Sequence, residues 1–178
     1  MQIMDRPWTH VFYHADRSGT LKEGQEIVLD HNNLSYFGRS YWSIISTKSV
    51  DEMDESQQRE YYLEMVRQER EYSLYASRMQ SIFAANSIAE AIVFANSIEP
   101  RSEHPIPIVE IFADRFWSLD SNWLDFKDSP DRRIANYYSY WDAHITNHCP
   151  ERGDRRAPRL EVMIALPATA GKIVYVVE

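Results

Sequence analysis

Cysteine is nearly absent from this 178-residue chain: Cys149 stands alone. A single thiol excludes an internal disulfide, and the sequence therefore reads as a protein of a reducing, cytoplasmic compartment. Glycine is equally scarce, with five residues scattered along the chain. None falls in the spacing of a phosphate-cradling loop, which excludes P-loop and dinucleotide-fold fingerprints, and no G-x-S-x-G elbow is present. Long apolar runs are missing, so no stretch reads as a membrane span, and the opening "MQIMDRPWTH" lacks the apolar core of a secretion signal. Positive charge is in deficit. A net charge of −8 argues against broad, non-specific attraction to nucleic acid or anionic lipid.

What is present suits a single domain over residues 1–178 with an ordinary core, since 44% of the residues are hydrophobic. Residues 10–14 and 25–29 read as strands on either side of a Ser18-Gly19 turn, and 41–45 ("YWSII") reads as a third. Ser49 and Glu52 have capping-box spacing and open an acidic helix over about 50–72, with Tyr62, Met65 and Val66 as its packed stripe. A buried strand is expected at 80–85. Ser87 and Glu90 then repeat the capping spacing ahead of a helix carrying Ala91, Ala95 and Ile98. Pro100, Pro105 and Pro107 frame a loop, followed by strands at 108–113 and 115–119. Ser129-Pro130 starts a helix whose Ile134, Tyr138, Trp141 and Ile145 recur at helical spacing. A loop over 149–158 precedes two closing strands, 159–166 and 172–177. Strands and helices do not alternate strictly, which points to an α+β fold.

Among reactive residue types, His144, His148 and Cys149 have the spacing of part of a zinc site, but no second ligand cluster accompanies them. The expectation is therefore no metal, with exposed imidazoles at a helix end. His14 closes the first strand, and a histidine there serves either as a ligand or as a satisfied structural residue.

Three stretches, in order along the chain, resemble the ADP-ribosyltransferases. "FYHADRSGTLKEGQEI" is similar to the opening of the rifampicin-modifying members, and "SIFAANSIAEAIVFAN" to the family's second conserved strand and following helix. "RLEVMIALPATAGKIVYVV" resembles the strand that carries the catalytic glutamate, with a comparable cue in the DNA-targeting toxins. The resemblance implies split antiparallel sheets with peripheral helices, binding NAD as substrate in the cleft between them. It implies that His14 binds the adenosine ribose, Phe83 brackets nicotinamide and Glu161 is the catalytic carboxylate. The sequence departs from the family pattern at Phe83, where a tyrosine is often found; the nearest, Tyr75, lies upstream.

Arg78 and Ser81 lie just upstream of Phe83, within reach of the NAD pyrophosphate and the nicotinamide amide; an ordinary surface charge is the other reading of Arg78. Asp120, in "WSLDSNWLDF" with Asn122 and Asp125, resembles an acidic turn of the rifampicin-modifying members and competes with Glu161 for the carboxylate role. Its other reading is a turn held by Asp and Asn side chains. Arg152, Arg155, Arg156 and Arg159 form a basic cluster suited to acceptor recognition, or else a solvated loop. The implied activity is transfer of ADP-ribose to a macromolecular acceptor, protein, DNA or RNA, as in bacterial or phage toxins and effectors, some of which are neutralised by a partner protein. NAD hydrolysis and a non-catalytic protein-binding module are the alternatives. A carboxylate beside the ribose stabilises the positive charge that develops as the nicotinamide leaves. Glu161, on a strand between Leu160 and Val162, fits that task; a salt-bridged strand glutamate is the competing reading.

Overall fold

A computed structural model describes residues 9–127, 129–146 and 157–178. Seven strands and four helices follow in the order β1 (His10–Ala15), β2 (Glu26–Ile27), α1 (Tyr36–Ile45), α2 (Glu55–Arg67), β3 (Ser81–Ala84), α3 (Ile88–Asn96), β4 (Ile106–Ala113), β5 (Phe116–Asp120), α4 (Pro130–Trp141), β6 (Leu160–Ala165) and β7 (Ala168–Val177). Two antiparallel sheets result: one in the order β1-β4-β7-β2, the other β3-β6-β5. Among the described residues one isolated backbone bridge links them. Tyr13 and Ala85 exchange backbone hydrogen bonds of 3.0 and 2.8 Å where β1 passes the end of β3. The fold is α+β.

Alternation along the strands sets the layers. On β6, Val162 and Ile164 point at the other sheet and pack with Ala84, Phe12, Val109 and Ile111. Met163 points the opposite way, onto Leu63 and Val66 of α2 and Tyr140 and Trp141 of α4. Glu161, two residues before Met163, shares that helix-facing side, and so does Phe83, which pairs directly with Met163. His14 lies two residues from Phe12 and shares its inward side of β1. The third helix, α3, covers the outer face of the four-stranded sheet through Ala91 and Ala95 against Ala15 and Ile108.

Several local expectations hold. Ser49 donates its backbone N–H and hydroxyl to Glu52, Ser87 caps α3 by accepting from the Glu90 N–H, and Pro130 stands in the first turn of α4. Others do not. Residues 41–45 belong to α1, which Ser35 starts by accepting the Gly38 N–H at 3.1 Å. The span expected as one helix over 50–72 is broken: a short 3-10 turn at 50–52 ends at Met53, and Asp54 caps α2 afresh through the Gln57 N–H at 2.9 Å. Met65 is exposed, whereas Leu63 and Val66 are fully buried. The last helix ends at Trp141, short of Ile145, with Ala143 at φ 55° just beyond it. Pro107 lies inside β4 and not in a loop.

Candidate functional site

The turn after β1 is wound round one buried carboxylate. Asp16, 3% exposed, accepts the Leu21 N–H at 2.9 Å and the Ser18 hydroxyl at 2.7 Å. Gly19 supplies the positive φ (62°) that lets the chain reverse here. Gly24 then donates its N–H to Ala170 at 2.8 Å and fastens the far end of the loop to β7. His14, two residues before this carboxylate, is partly buried.

The Nδ1 of His14 lies 2.6 Å from the Phe83 carbonyl. A carbonyl only accepts, so Nδ1 carries the proton and Nε2 is left as an acceptor. Burial pushes the imidazole below its ordinary range; the Phe83 carbonyl and the nearby Asp16 charge pull the other way without overcoming it. The ring is therefore neutral near pH 7.

Beyond Phe83 lies Arg78, 4% exposed. Its guanidinium sits 4.4 Å from the Phe83 ring centroid and 5.5 Å from those of Phe37 and Tyr140. Nε donates to Glu60 at 2.8 Å and Nη2 to the other oxygen of Glu60 at 3.3 Å. Nη1 lies 2.6 Å from both the Tyr140 hydroxyl and Glu161 Oε1. Burial alone would lower the Arg78 pKa, but Glu60, Tyr140 and Glu161 override it and hold the guanidinium well above the usual arginine range. Tyr140 in turn donates to Glu161 Oε1 at 2.6 Å. Burial pushes its phenol well above the ordinary value, so it stays protonated and remains a donor. Glu60, fully buried, is also reached by Arg59 at 3.2 Å. Two arginines thus face two glutamates, which is how this side of the sheet carries buried charge at all.

Glu161 is held asymmetrically. Oε1 takes both hydrogen bonds, and among the described residues Oε2 takes none. The side chain keeps 18% of its surface exposed. Arg78 and Tyr140 thus fix the carboxylate through one oxygen.

The other expected site residues are placed as follows. Ser81 is fully buried and donates to the Ser77 carbonyl at 2.8 Å. Every guanidinium nitrogen of Arg78 is engaged inside the network just described, so it is not the surface charge its alternative reading supposed. Asp120 is fully buried at the end of β5. It accepts from the backbone N–H groups of Asn122 (3.0 Å), Arg159 (3.2 Å) and Thr146 (2.7 Å) and from the Thr146 hydroxyl (2.6 Å). All its hydrogen bonds tie three chain segments together. Arg159 pairs with Asp125 and donates to Ser121 at 2.9 Å. Arg152, Arg155, Arg156, His148 and Cys149 lie outside the described residues. Among the described residues no cluster of three or more His, Cys, Asp or Glu could hold a metal, and no helix is long and apolar enough to cross a membrane.

Phe83, Arg78 and Glu161 are therefore joined by side-chain contacts on the helix-facing side, His14 reaches them only through the Phe83 backbone carbonyl from the inward side of β1, and Asp120 is engaged elsewhere. Sequence reasoning missed Asp16, Phe37, Glu60 and Tyr140. One signal was available: Glu60, three residues before Leu63, lies on the buried stripe of α2.

A family model described as "Protein of unknown function (DUF2441)" matches residues 42–152, more than half of the chain. That span contains Glu60, Arg78, Phe83 and Tyr140 and leaves out His14 and Glu161. No curated protein matches the chain significantly. By this match, the chain belongs to the DUF2441 family.

Proposed function

We propose that the protein transfers ADP-ribose from NAD to a macromolecular acceptor. The observation that carries this reading is the Glu161 carboxylate held by Arg78 beside the Phe83 ring, with the His14 imidazole on the Phe83 backbone carbonyl. The site's chemistry suits NAD as substrate. The free Nε2 of a neutral His14 accepts a hydrogen bond from a ribose hydroxyl. The partly buried Phe83 ring gives the pyridinium an aromatic surface. Oε2 of Glu161 accepts the 2′-hydroxyl of the nicotinamide ribose.

In the reaction, the C1′–N bond breaks and nicotinamide leaves with the bonding pair. Positive charge develops on the sugar. Glu161 opposes that charge more strongly in the transition state than in the ground state, where the positive charge sits on the nicotinamide ring. An acceptor nucleophile then attacks C1′ and releases its proton. Arg78 and Tyr140 are positioning residues: they hold Oε1 so that Oε2 faces the sugar.

The test is nicotinamide release from NAD, followed by chromatography, with NAD binding measured by calorimetry. Wild type should release nicotinamide. Glu161→Gln should bind NAD with little change and lose at least about 100-fold in kcat, the scale for removing one electrostatic stabiliser. Retained turnover in a folded Glu161→Gln protein, or no heat of NAD binding to wild type, overturns the reading. Label from NAD found in free ADP-ribose alone would assign hydrolysis in place of transfer.

A further inference from the structure

The helix that presses Phe37 onto Phe83 has a second, outward side. On its inner side α1 is clamped: Phe37 meets Phe83 edge-on at 5.0 Å, and Gly38 lies so close to the Met79 carbonyl that an added Cβ would stand 2.0 Å from its oxygen. On the outer side α1 and the loop after β2 border an open hollow of about 500 Å³. That volume lies within the ~300–1,000 Å³ range of small-ligand sites.

The loop wall is tied down by its own hydrogen bonds. Asp30 accepts the N–H groups of Asn32 (2.8 Å) and Leu34 (3.0 Å), and the backbones of Asp30 and Leu34 bond at 2.9 Å. His31 and Asn32 are left projecting, with Nε2 and Nδ2 3.2 Å apart. The helix wall is aromatic and cationic. Arg39 and Trp42 line it three residues apart, about 4.5 Å of rise. Tyr36 is 71% exposed and Trp42 39%, and the Arg39 guanidinium lies 5.3 Å from the Tyr36 ring. Arg39 forms a long ion pair of 3.9 Å with Asp30, which also lines the hollow, and the Arg39 side chain is 55% exposed.

An indole and a guanidinium on the helix wall, facing a carboxamide on the loop wall, match a planar base attached to a phosphate. Trp42 offers the stacking face, Asn32 a donor and an acceptor for a base edge, and Arg39 a partner for phosphate. Leu34 is the one aliphatic residue lining the hollow, beside the Trp42 indole and the charged side chains of Asp30 and Arg39. We propose that this hollow binds single-stranded nucleic acid, with one base stacked on Trp42 and its phosphate on Arg39. Duplex does not fit, because its bases are stacked on one another and present no free face. The chain's net charge of −8 gives no long-range attraction, so binding is of short range and engages few phosphates. That this strand is the ADP-ribose acceptor rests on the function proposed above; the binding itself does not.

The test is fluorescence anisotropy of a labelled mixed-sequence 12-mer, DNA and RNA, against the full chain. Matched duplex and free AMP and UMP serve as competitors. Wild type should bind the single strand and prefer it to duplex and to mononucleotide. Trp42→Ala should weaken binding at least about fivefold and Trp42→Phe should restore most of it, as stacking requires. Arg39→Gln should weaken binding and flatten the logarithmic salt dependence by about 0.7, the value for one phosphate contact. No binding by wild type, unchanged binding by Trp42→Ala, or equal binding of duplex or mononucleotide overturns the proposal. Nicotinamide release measured on the same preparation separates the two claims. Strand binding without release removes the transferase reading and leaves this one; release without strand binding does the reverse.

Discussion

Replacing Arg78 with methionine keeps most of the aliphatic stem and removes the guanidinium that two carboxylates share. Glu60 then loses contacts of 2.8 and 3.3 Å, and Glu161 one of 2.6 Å. Breaking a buried ion pair from one side costs about 3–5 kcal/mol, because the opposite charge is left without its partner. Two features place the expected loss at the lower end, about 3 kcal/mol. Arg59 stays beside Glu60 at 3.2 Å, and Glu161 retains some solvent contact and the Tyr140 hydroxyl. For a chain of this length that corresponds to a fall in Tm of roughly 6–12 °C. Urea denaturation of four proteins, wild type, Glu60→Gln, Arg78→Met and the double variant, isolates the pair. The double variant should be more stable than the summed single losses predict, by about 2 kcal/mol, since the neutral amide introduced by Glu60→Gln no longer needs a cation. A loss under about 1 kcal/mol for Arg78→Met, with single effects that simply add, would refute the view that this network holds α2 and the Glu161 strand together.

Other perturbations test other parts of the account. Gly38→Ala forces a Cβ against backbone at Met79; a loss of about 1–3 kcal/mol in denaturant unfolding is expected, with weaker near-ultraviolet dichroism as Phe37 lifts from Phe83. Leu63→Ala, at a fully buried contact of α2 with β5 and β6, should cost about 2–5 kcal/mol in the same assay. Asp16→Ala removes the acceptor for the Leu21 N–H; the expected loss is about 1–3 kcal/mol, with hydrogen exchange at the Leu21 amide accelerated. The lowered His14 pKa makes the unfolded chain the better proton acceptor. Its contribution to stability is therefore complete above the imidazole's ordinary 6.5 and is lost as pH falls from there to the folded value. Urea midpoints across that window should fall less steeply with acidification in His14→Gln than in wild type.

The elements legible in the sequence are those written in local chemistry. Ser87 with Glu90, and Ser129 before Pro130, each place a helix start through neighbours within a few residues, whereas Ser49 with Glu52 places only a 3-10 turn ahead of α2. The strand at 81–84 and the two closing strands follow from apolar run length. Residues 41–45 read as a strand because aromatic and β-branched residues favour strands. What decides their helix is Ser35 and the close seat of Gly38 on Met79, which lies 41 positions further on. The candidate roles of His14, Phe83 and Glu161 come from the resemblance alone, and their contacts with one another are not written in any local pattern. Glu60 sits in an acidic, capped helix and looks like surface charge. Its burial follows from Arg78, 18 positions away, and Arg78 in turn meets Glu161, 83 positions beyond. No local pattern encodes that meeting, and the same non-local pairing explains why Arg78 reads as a free cation in the sequence. Asp120 shows the converse. Its turn chemistry is visible in "LDSN", and its buried bonds to Thr146 and Arg159 are not.

The central claim is that His14 meets the ribose of NAD through Nε2, and nitrogen-15 NMR of the imidazole reads that contact directly. With labelled histidine, and His14→Gln to assign the signal, free protein should show Nδ1 protonated and Nε2 as the unprotonated nitrogen. Added NAD should shift the Nε2 resonance toward that of a hydrogen-bonded acceptor, saturating with the calorimetric binding curve. An Nε2 signal unchanged at NAD concentrations that saturate the calorimetric curve, or an Nε2 already protonated in the free protein, would contradict the account.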